Sequence, residues 1–476
     1  MVAKEIKMKK QSICCIGAGY VGGPTMAVIA LKCPNINVTV VDKNPLKIKA
    51  WNGDLNKLPV FEPGLKEVVE KVRNKNLFFS EDINKAIIES EIIFVAVNTP
   101  TKSSGEGKGM AADLTFIESC AKQIAEAANS NKIVVEKSTL PVRTAEKIKD
   151  ILLTNSKKNI KFEVISNPEF LAEGTAIQDL FQSDRVLIGS DQTDSGLIAA
   201  DALIKIYEQW IPRDKILTTN VWSSELTKLA SNAMLAQRIS SVNSLSALCE
   251  KTGADIEEVS NAVGHDKRIG KDFLRSSVGF GGSCFQKDIL NLVYLSKHYG
   301  LHEVAEFWHQ VIKINDFQKS RFTKRIINEL NGTIKSKKIG VLGWSFKKNT
   351  NDSRESASIY VTNDLLDGGA YVNVYDPKVS SKRIINDLLD LWESIGEPDK
   401  KIKLKLNNLK IVSDFNNCFN ESSCIAILTE WDEFKSYDWK NLIQKMQSQH
   451  LIIDGRNILD PLYMNKLTDK FCSIGR

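Results

Sequence analysis

Cys284 follows the run Gly279-Phe280-Gly281-Gly282-Ser283 and precedes Phe285-Gln286-Lys287-Asp288. Glycines at this density let a loop reach positive φ and lie flush against a ligand. Ser283, three residues before Gln286, reads as a capping box that opens a helix through Ile289, Leu292, Val293 and Leu295. Cys284 is then the first helical residue. A helix start favours the thiolate over the thiol, so Cys284 reads as a nucleophile rather than a small buried hydrophobe.

Other residues could act with it. Lys228 and Asn232 are spaced i, i+4 in a stretch from Trp222 to about Glu250 that lacks proline and glycine. Such a stretch predicts one long spine helix. A lysine beside an asparagine there can stabilise a developing oxyanion, although surface lysines are more often only solvated. Glu169 and Glu173 lie i, i+4 in Asn-Pro-Glu-Phe-Leu-Ala-Glu-Gly. On a helix they would share a face and could hold or activate water, and the plainer reading is a solvated face. Lys347, Lys348 and Arg354 crowd a loop where they could grip phosphate, and Arg456 follows a strand end. His298 and His302 have a metal-like spacing, but Gly300 between them reads as a helix end, so no metal site is expected.

The elements that must position these residues begin with an apolar strand at Ser12–Ile16. Gly17-Ala18-Gly19-Tyr20-Val21-Gly22 and a helix to Leu31 come next, then a strand from Val38 to Asp42. A strand, three glycines, a helix and an acid about 20 residues on form the dinucleotide fingerprint. Asp42 is expected to accept the adenosine ribose hydroxyls and favour NAD over NADP, with Lys47 softening that preference. Strands at 92–97, 133–136 and 162–165 run into Asn98–Thr101, Lys137-Ser138-Thr139 and Ser166–Glu169. Those polar clusters should line the crevice at the strands' carboxyl ends. The glycine-rich loop 103–109 would cover the cofactor or move. Further on, Lys338–Trp344 repeats the strand-then-glycine pattern, a helical run 356–366 follows, and a strand 371–375 ends at Asp376. A second, degenerate Rossmann-like unit is expected, finished by strands 424–428 and 451–453. The charged stretch 378–408 reads as a surface excursion.

Composition sets the bounds. A chain of 476 residues is too long for one core. The 64 basic and 58 acidic residues leave a net charge of +6, and the lysine clusters at 335–338 and 400–405 lack interleaved aromatics. Nucleic acid is therefore not an expected partner, and those lysines read as solvated faces. Nine cysteines without a CxxC pair argue against a disulfide framework or a zinc site and for a reducing compartment. Residues 1–10 are basic but carry no apolar core with a cleavage site, so no secretory signal is expected there. No apolar run approaches a membrane span.

Several motifs together resemble the UDP-glucose/GDP-mannose dehydrogenase family, in its eukaryotic branch: GAGYVGGPT at 17–25, VNTPTK at 97–102, KSTLPVRT at 137–144, NPEFLAEG at 167–174, ELTKLASNA at 225–233, GFGGSCFQKD at 279–288 and FKKNTNDSRES at 346–356. The resemblance covers essentially the whole chain. It implies an α/β fold of two Rossmann-like doubly wound domains joined by a helical central domain. The expected parts are an NAD-binding domain at 1–221, a central dimerisation domain at 222–331 and a UDP-sugar-binding domain at 332–476. The implied reaction is a four-electron oxidation of UDP-glucose to UDP-glucuronate by two NAD and one water, through a thiohemiacetal and a thioester on Cys284.

Residue roles carried over with the resemblance are these. Lys228, or a water held by it and Asp288, removes the first proton, and water activated near Glu169 hydrolyses the thioester. Thr139, Glu173 and Asn232 order water and oxyanion. Gly17, Gly19, Tyr20, Val21, Gly22, Asp42, Lys47, Thr99, Ser138, Thr139, Glu173 and Arg354 belong to the cofactor set. Leu171, Phe280, Gly281, Phe346, Lys347 and Arg456 join Glu169, Lys228 and Asn232 around the UDP-sugar, where Arg354 also falls. Arg268 matches a position that reaches a neighbouring subunit's site. A cytoplasmic homodimer or hexamer of dimers is implied. Lys47 stands where an arginine is commoner, and 378–408 is longer than usual. The chain ends at Arg476 without the low-complexity tail of some relatives. Alternatives remain: another sugar nucleotide such as GDP-mannose or a UDP-N-acetylhexosamine, a two-electron dehydrogenase, or a non-catalytic NAD-binding regulator.

Overall fold

The computed structural model describes residues 11–157 and 159–476. The reading of residues 1–10 as lacking a signal lies outside them. The chain divides into two compact units, one ending at Ser231 and the other beginning at Asn232.

The first unit is built on eight strands among the described residues. They are β1 (Ser12–Ile16), β2 (Asn37–Val41), β3 (Leu77–Ser80), β4 (Ile92–Val95), β5 (Lys132–Glu136), β6 (Phe162–Ser166), β7 (Val186–Ser190) and β8 (Ile216–Asn220). Their order is β3-β2-β1-β4-β5-β6-β7-β8. The first six are parallel in the doubly wound order, with the switch point beside β1, while β7 meets β6 antiparallel. β1, β4 and β7 are apolar because helices cover both faces, as a parallel sheet requires. β3, β7 and β8 went unread in the sequence; β8 alternates weakly and has three of its five residues exposed.

The second unit carries β9 (Lys338–Leu342), β10 (Tyr371–Tyr375), β11 (Leu409–Ile411), β12 (Cys424–Ile427), β13 (Leu451–Asp454) and β14 (Phe471–Ser473), ordered β11-β10-β9-β12-β13-β14. All its pairings are parallel. The sheet therefore closes on β14, not on the strand at 451–453.

The spine helix runs Val221–Thr252, as the unbroken stretch predicted. The helices Phe285–His298 and His302–Glu329 meet at Gly300 (φ +72°), so the two histidines do mark helix ends. The segment 378–408 is not a surface excursion. It folds into helices Ser381–Ser394 and Asp399–Asn407, which bury Ile384, Leu388 and Trp392. Lys405, read as part of a solvated cluster, is buried with its ammonium 2.6 Å from Glu397 and 2.8 Å from the Asn363 side-chain oxygen. Its charge is tolerated there because it is paired. No helix among the described residues is long and apolar enough to cross a membrane.

Candidate functional site

In the first unit the carboxyl ends of β1, β4, β5 and β6 carry the predicted polar clusters. Gly17 has φ +114°, and a Cβ there would stand 2.4 Å from the Ala96 carbonyl oxygen. A Cβ on Gly22 would fall 2.0 Å from the Gly17 carbonyl oxygen, so only glycine lets helix and strand approach so closely. Gly19 differs: a Cβ there would meet nothing within 4 Å, which leaves the backbone open to a phosphate. The helix Gly22–Lys32 starts behind Val21 with no side chain capping it, a ready anion seat. Tyr20 packs half-buried on the unit's core.

Asp42 closes this cradle. Its carboxylate accepts from the Ala18 N–H (3.0 Å) and the Asn44 N–H (2.9 Å), and Lys47 lies 2.8 Å away. Burial works against its charge, but Lys47 and the two N–H groups hold it below the usual carboxylate range. The Thr99 hydroxyl donates to the Thr139 carbonyl (3.1 Å) and Ser138 donates to the Val97 carbonyl (2.6 Å), which ties the ends of β4 and β5 together. The loop 103–109 folds on itself through Gly109 N–H to the Lys102 carbonyl and an antiparallel bridge from Thr101 to Ala112. These residues fit a dinucleotide.

Glu169 and Glu173 do not share a helix face. The stretch 167–172 after β6 is irregular, 173–175 is a turn, and the next helix begins at Ala176. Pro168 and Gly174, which the i, i+4 reading passed over, keep the stretch out of a helix. Glu169 instead forms a buried ion pair with Lys137 (3.0 Å) and accepts from the Phe170 N–H (2.9 Å). Burial would push its carboxyl up, yet Lys137, that N–H and Lys228 together bring it below its usual range. Lys137 also meets Asn167 (3.1 Å) and the Tyr207 hydroxyl (3.2 Å). Leu171 packs against the core beside it, and Glu173 is half-buried on the turn. Lys228 is buried rather than solvated, its ammonium 5.3 Å from the centre of the Phe170 ring.

A second carboxyl pair escaped the sequence reading. Glu136 ends β5, and its buried oxygens meet no donor among the described residues. They face Glu225, one turn before Lys228 on the spine helix. Glu225 accepts from the N–H groups of Arg143 (2.7 Å) and Ala145 (2.8 Å) at the start of the helix Thr144–Asn155. Burial drives Glu136 well above its usual range and Glu225 up to about 7. Burial and the neighbouring Glu225 both favour the protonated form of Glu136. Both folded values are raised, so the stability this pair contributes is complete below 4.5 and is lost as pH rises through about 7. Glu225→Gln removes the carboxyl that ionises near 7, keeps an acceptor for the Arg143 and Ala145 N–H groups, and should flatten that decline. Urea midpoints measured at pH 5 and pH 8 check it; a wild-type decline kept unchanged in the variant would refute it.

In the second unit, the helix after Cys284 starts at Phe285, with Cys284 itself as the cap residue and no side-chain cap bond. The expected capping box does not form, because Gly282 (φ +88°) turns the chain and the Ser283 hydroxyl lies 3.5 Å from the Cys284 sulfur. Cys284 remains an exposed thiol at a helix start. Asp288, one turn on, is buried and accepts from the Asn232 amide (2.6 Å), with Lys287 3.6 Å away.

The loop before Cys284 is framed from below: Asn315 accepts the Phe280 N–H (2.8 Å) and donates to the Phe280 carbonyl (3.0 Å). It docks on the loop 344–356. The Gly282 N–H bonds the Arg354 carbonyl (2.8 Å), and a Cβ on Gly281 would stand 2.5 Å from the Glu355 carbonyl oxygen. Arg456 donates to the Phe346 carbonyl (2.6 Å) and the Leu428 carbonyl (2.8 Å). Arg354 forks onto Asp352, Lys347 lies 5.5 Å from the Phe346 ring centre, and Arg268 is exposed, bonded to Asp266 (2.6 Å). The structure thus gathers Cys284, Phe280, Gly281, Phe346, Lys347, Arg354 and Arg456 in one region of the second unit, where Asn232 and Asp288 pair. Glu169, Thr139, Lys228 and the cofactor residues other than Arg354 belong to the first unit.

A dinucleotide fold and a second nucleotide-type fold bearing an exposed cysteine define an NAD-dependent oxidoreductase with a nucleotide-linked substrate. Residues 11–211 match the NAD binding domain of the UDP-glucose/GDP-mannose dehydrogenases, 222–317 the central domain and 340–461 the UDP binding domain. The chain belongs to this family. It is 56% identical over 464 residues to UDP-glucose 6-dehydrogenase of Drosophila melanogaster, covering 98% of this chain and 96% of that one. It is 55% identical to UDP-glucose 6-dehydrogenase 3 of Arabidopsis thaliana over 468 residues, 98% of this chain and 97% of the relative. Among solved structures, a UDP-glucose dehydrogenase from Pyrobaculum islandicum superposes with a TM-score of 0.81 at 28% identity, covering 99% of both chains.

Proposed function

We propose that this chain oxidises UDP-glucose to UDP-glucuronate with NAD, in two successive steps and with Cys284 as the covalent nucleophile. The observation that carries this reading is the exposed Cys284 thiol on a glycine loop docked against the loop of Phe346, Lys347 and Arg354. A thiol beside a sugar-nucleotide seat is what retention of an aldehyde between two oxidations requires. NAD, held by the 17–22 turn and Asp42, accepts the hydrides.

Lys228, or a water held by it and Asp288, takes the proton from the C6 hydroxyl in the first step. The Cys284 sulfur then bonds the aldehyde carbon to give a thiohemiacetal, and loss of a second hydride leaves a thioester. Asn232 and Asp288 orient the groups around the reacting carbon. Water directed by Glu169, with Thr139 and Glu173, cleaves the thioester and returns the thiol. One water and two NAD are consumed per UDP-glucose, with two NADH and the released protons as coproducts.

The division at 1–221, 222–331 and 332–476 is part of the same proposal. So is assembly as a cytoplasmic homodimer or hexamer of dimers through the spine helix. Its outer face exposes Met234, Leu245 and Leu248, and Arg268, exposed and paired with Asp266, would turn toward a neighbouring copy. Initial rates of NAD reduction with UDP-glucose, GDP-mannose and UDP-N-acetylglucosamine test the substrate. UDP-glucose should be preferred by on the order of 10²-fold or more, since a site that hydrogen-bonds its own substrate rejects mismatched groups. Preference for either of the others would overturn the assignment.

A further inference from the structure

The helix Ser381–Ser394 lies in the charged segment that the sequence reading left without a role. Its Asp387 side chain is 2% exposed, yet it is surrounded by donors. One carboxylate oxygen accepts from the Trp344 indole N–H (2.9 Å) and from the Ser353 hydroxyl. The other lies 2.7 Å from the Arg383 guanidinium, whose Nε donates to the Ser353 hydroxyl (3.2 Å). Trp344 and Ser353 are the two ends of the loop that carries Phe346 and Lys347, and Arg354 follows directly.

The near end of this loop has a second anchor. Asp376, at the end of β10, accepts from the backbone N–H groups of Trp344 (2.6 Å) and Ser345 (3.0 Å) and from the Trp431 indole (3.1 Å). It also accepts from the N–H groups of Lys378 and Val379 (2.8 Å each). In the first unit Asp42 holds the equivalent place after β2, beside Ala18 and Gly17. There the acid faces a ribose seat; in the second unit the acid shapes a loop. The far end, at Ser353, has Asp387 as its charged anchor. One residue on, the Arg354 carbonyl takes the Gly282 N–H, so the hold on Ser353 continues to the glycine loop of Cys284.

We propose that Asp387 is a positioning residue for the UDP-sugar: it closes the loop 344–353 so that Phe346, Lys347 and Arg354 are preorganised for the nucleotide. This rests on the UDP-sugar reading above. A buried carboxylate is costly to desolvate, and here the donors that offset that cost come from both ends of one ligand loop. Neither the first unit's cradle nor Asp42 has any part in the tie.

The test is calorimetric binding of UDP and of NAD to the full chain. Misplacing a preorganised loop costs on the order of tenfold or more in affinity, so Asp387→Ala should weaken UDP by that factor and leave NAD within about twofold. Asp387→Asn retains an acceptor for Trp344 and Ser353 and should recover most of the UDP affinity. Ser353→Ala removes only the far-end tie, buries no unpaired charge, and should weaken UDP by about threefold; it decides the matter if Asp387→Ala does not fold. Unchanged UDP affinity in Asp387→Ala and Ser353→Ala, or parallel losses for UDP and NAD, would overturn the proposal. Failure of the wild-type chain to bind UDP would instead bring down the substrate reading, and this inference with it.

Discussion

Replacing Cys284 with serine should lower steady-state NADH formation from UDP-glucose on the order of 10³-fold or more, with UDP and NAD affinities close to wild type. The hydroxyl preserves shape but is a far weaker nucleophile than a thiol, so the thiohemiacetal that feeds the second oxidation does not form. The exposed position of the thiol at the start of the helix Phe285–His298 means that the exchange disturbs no core packing. A stopped reaction in this variant is therefore a chemical effect. Undiminished turnover by Cys284→Ser would favour the two-electron alternative.

The second large effect is on stability. Lys137→Met should destabilise the first unit by about 3–5 kcal/mol, the cost of leaving one member of a buried ion pair alone. Glu169 would keep its buried position and lose the cation 3.0 Å away. Asn167 and the Tyr207 hydroxyl would lose the same ammonium. Glu169 is held below its usual range in the folded state, so its contribution is present above the unfolded carboxylate pKa and is lost as pH falls through the folded one. With Lys137 gone, burial dominates and the carboxyl moves up. Urea unfolding at pH 7 measures the loss, and Glu169→Gln in the Lys137→Met background should restore part of it. A loss below about 1 kcal/mol would mean that the pair is not isolated from water as its burial indicates.

Much of the first unit is legible because each feature has a local cause. Gly17, Gly19 and Gly22 are dictated by a turn, an open approach and a close helix contact, and Asp42 follows at the next strand end. Apolar runs ending in polar clusters marked β1, β2, β4, β5 and β6, since a parallel sheet covered on both faces leaves that pattern. Edge strands such as β8 and β14, short and half-exposed, leave none.

At the site, residue types were easier to read than partnerships. Cys284 was visible from its loop, but the capping box failed because Gly282 turns the chain before Ser283 can cap. Glu169 was visible too, yet spacing alone assigned it to Glu173 when its partner is Lys137, 32 residues earlier on a neighbouring strand end. The Glu136–Glu225 and Asp387 constellations join residues far apart in sequence. The local signal is slight: Glu136 and Asp387 adjoin apolar runs, while Glu225 stands among polar residues. In 378–408 the apolar residues Ile384, Leu388 and Trp392 do follow a helical period, and the surrounding charge masked it.

The central claim is that one site oxidises the same carbon twice. The measurement that meets it most directly is the number of NADH formed per UDP-glucose consumed at completion with NAD in excess. The four-electron route through Cys284 predicts two. One would mean release of an aldehyde or ketone, and would contradict the covalent role given to Cys284.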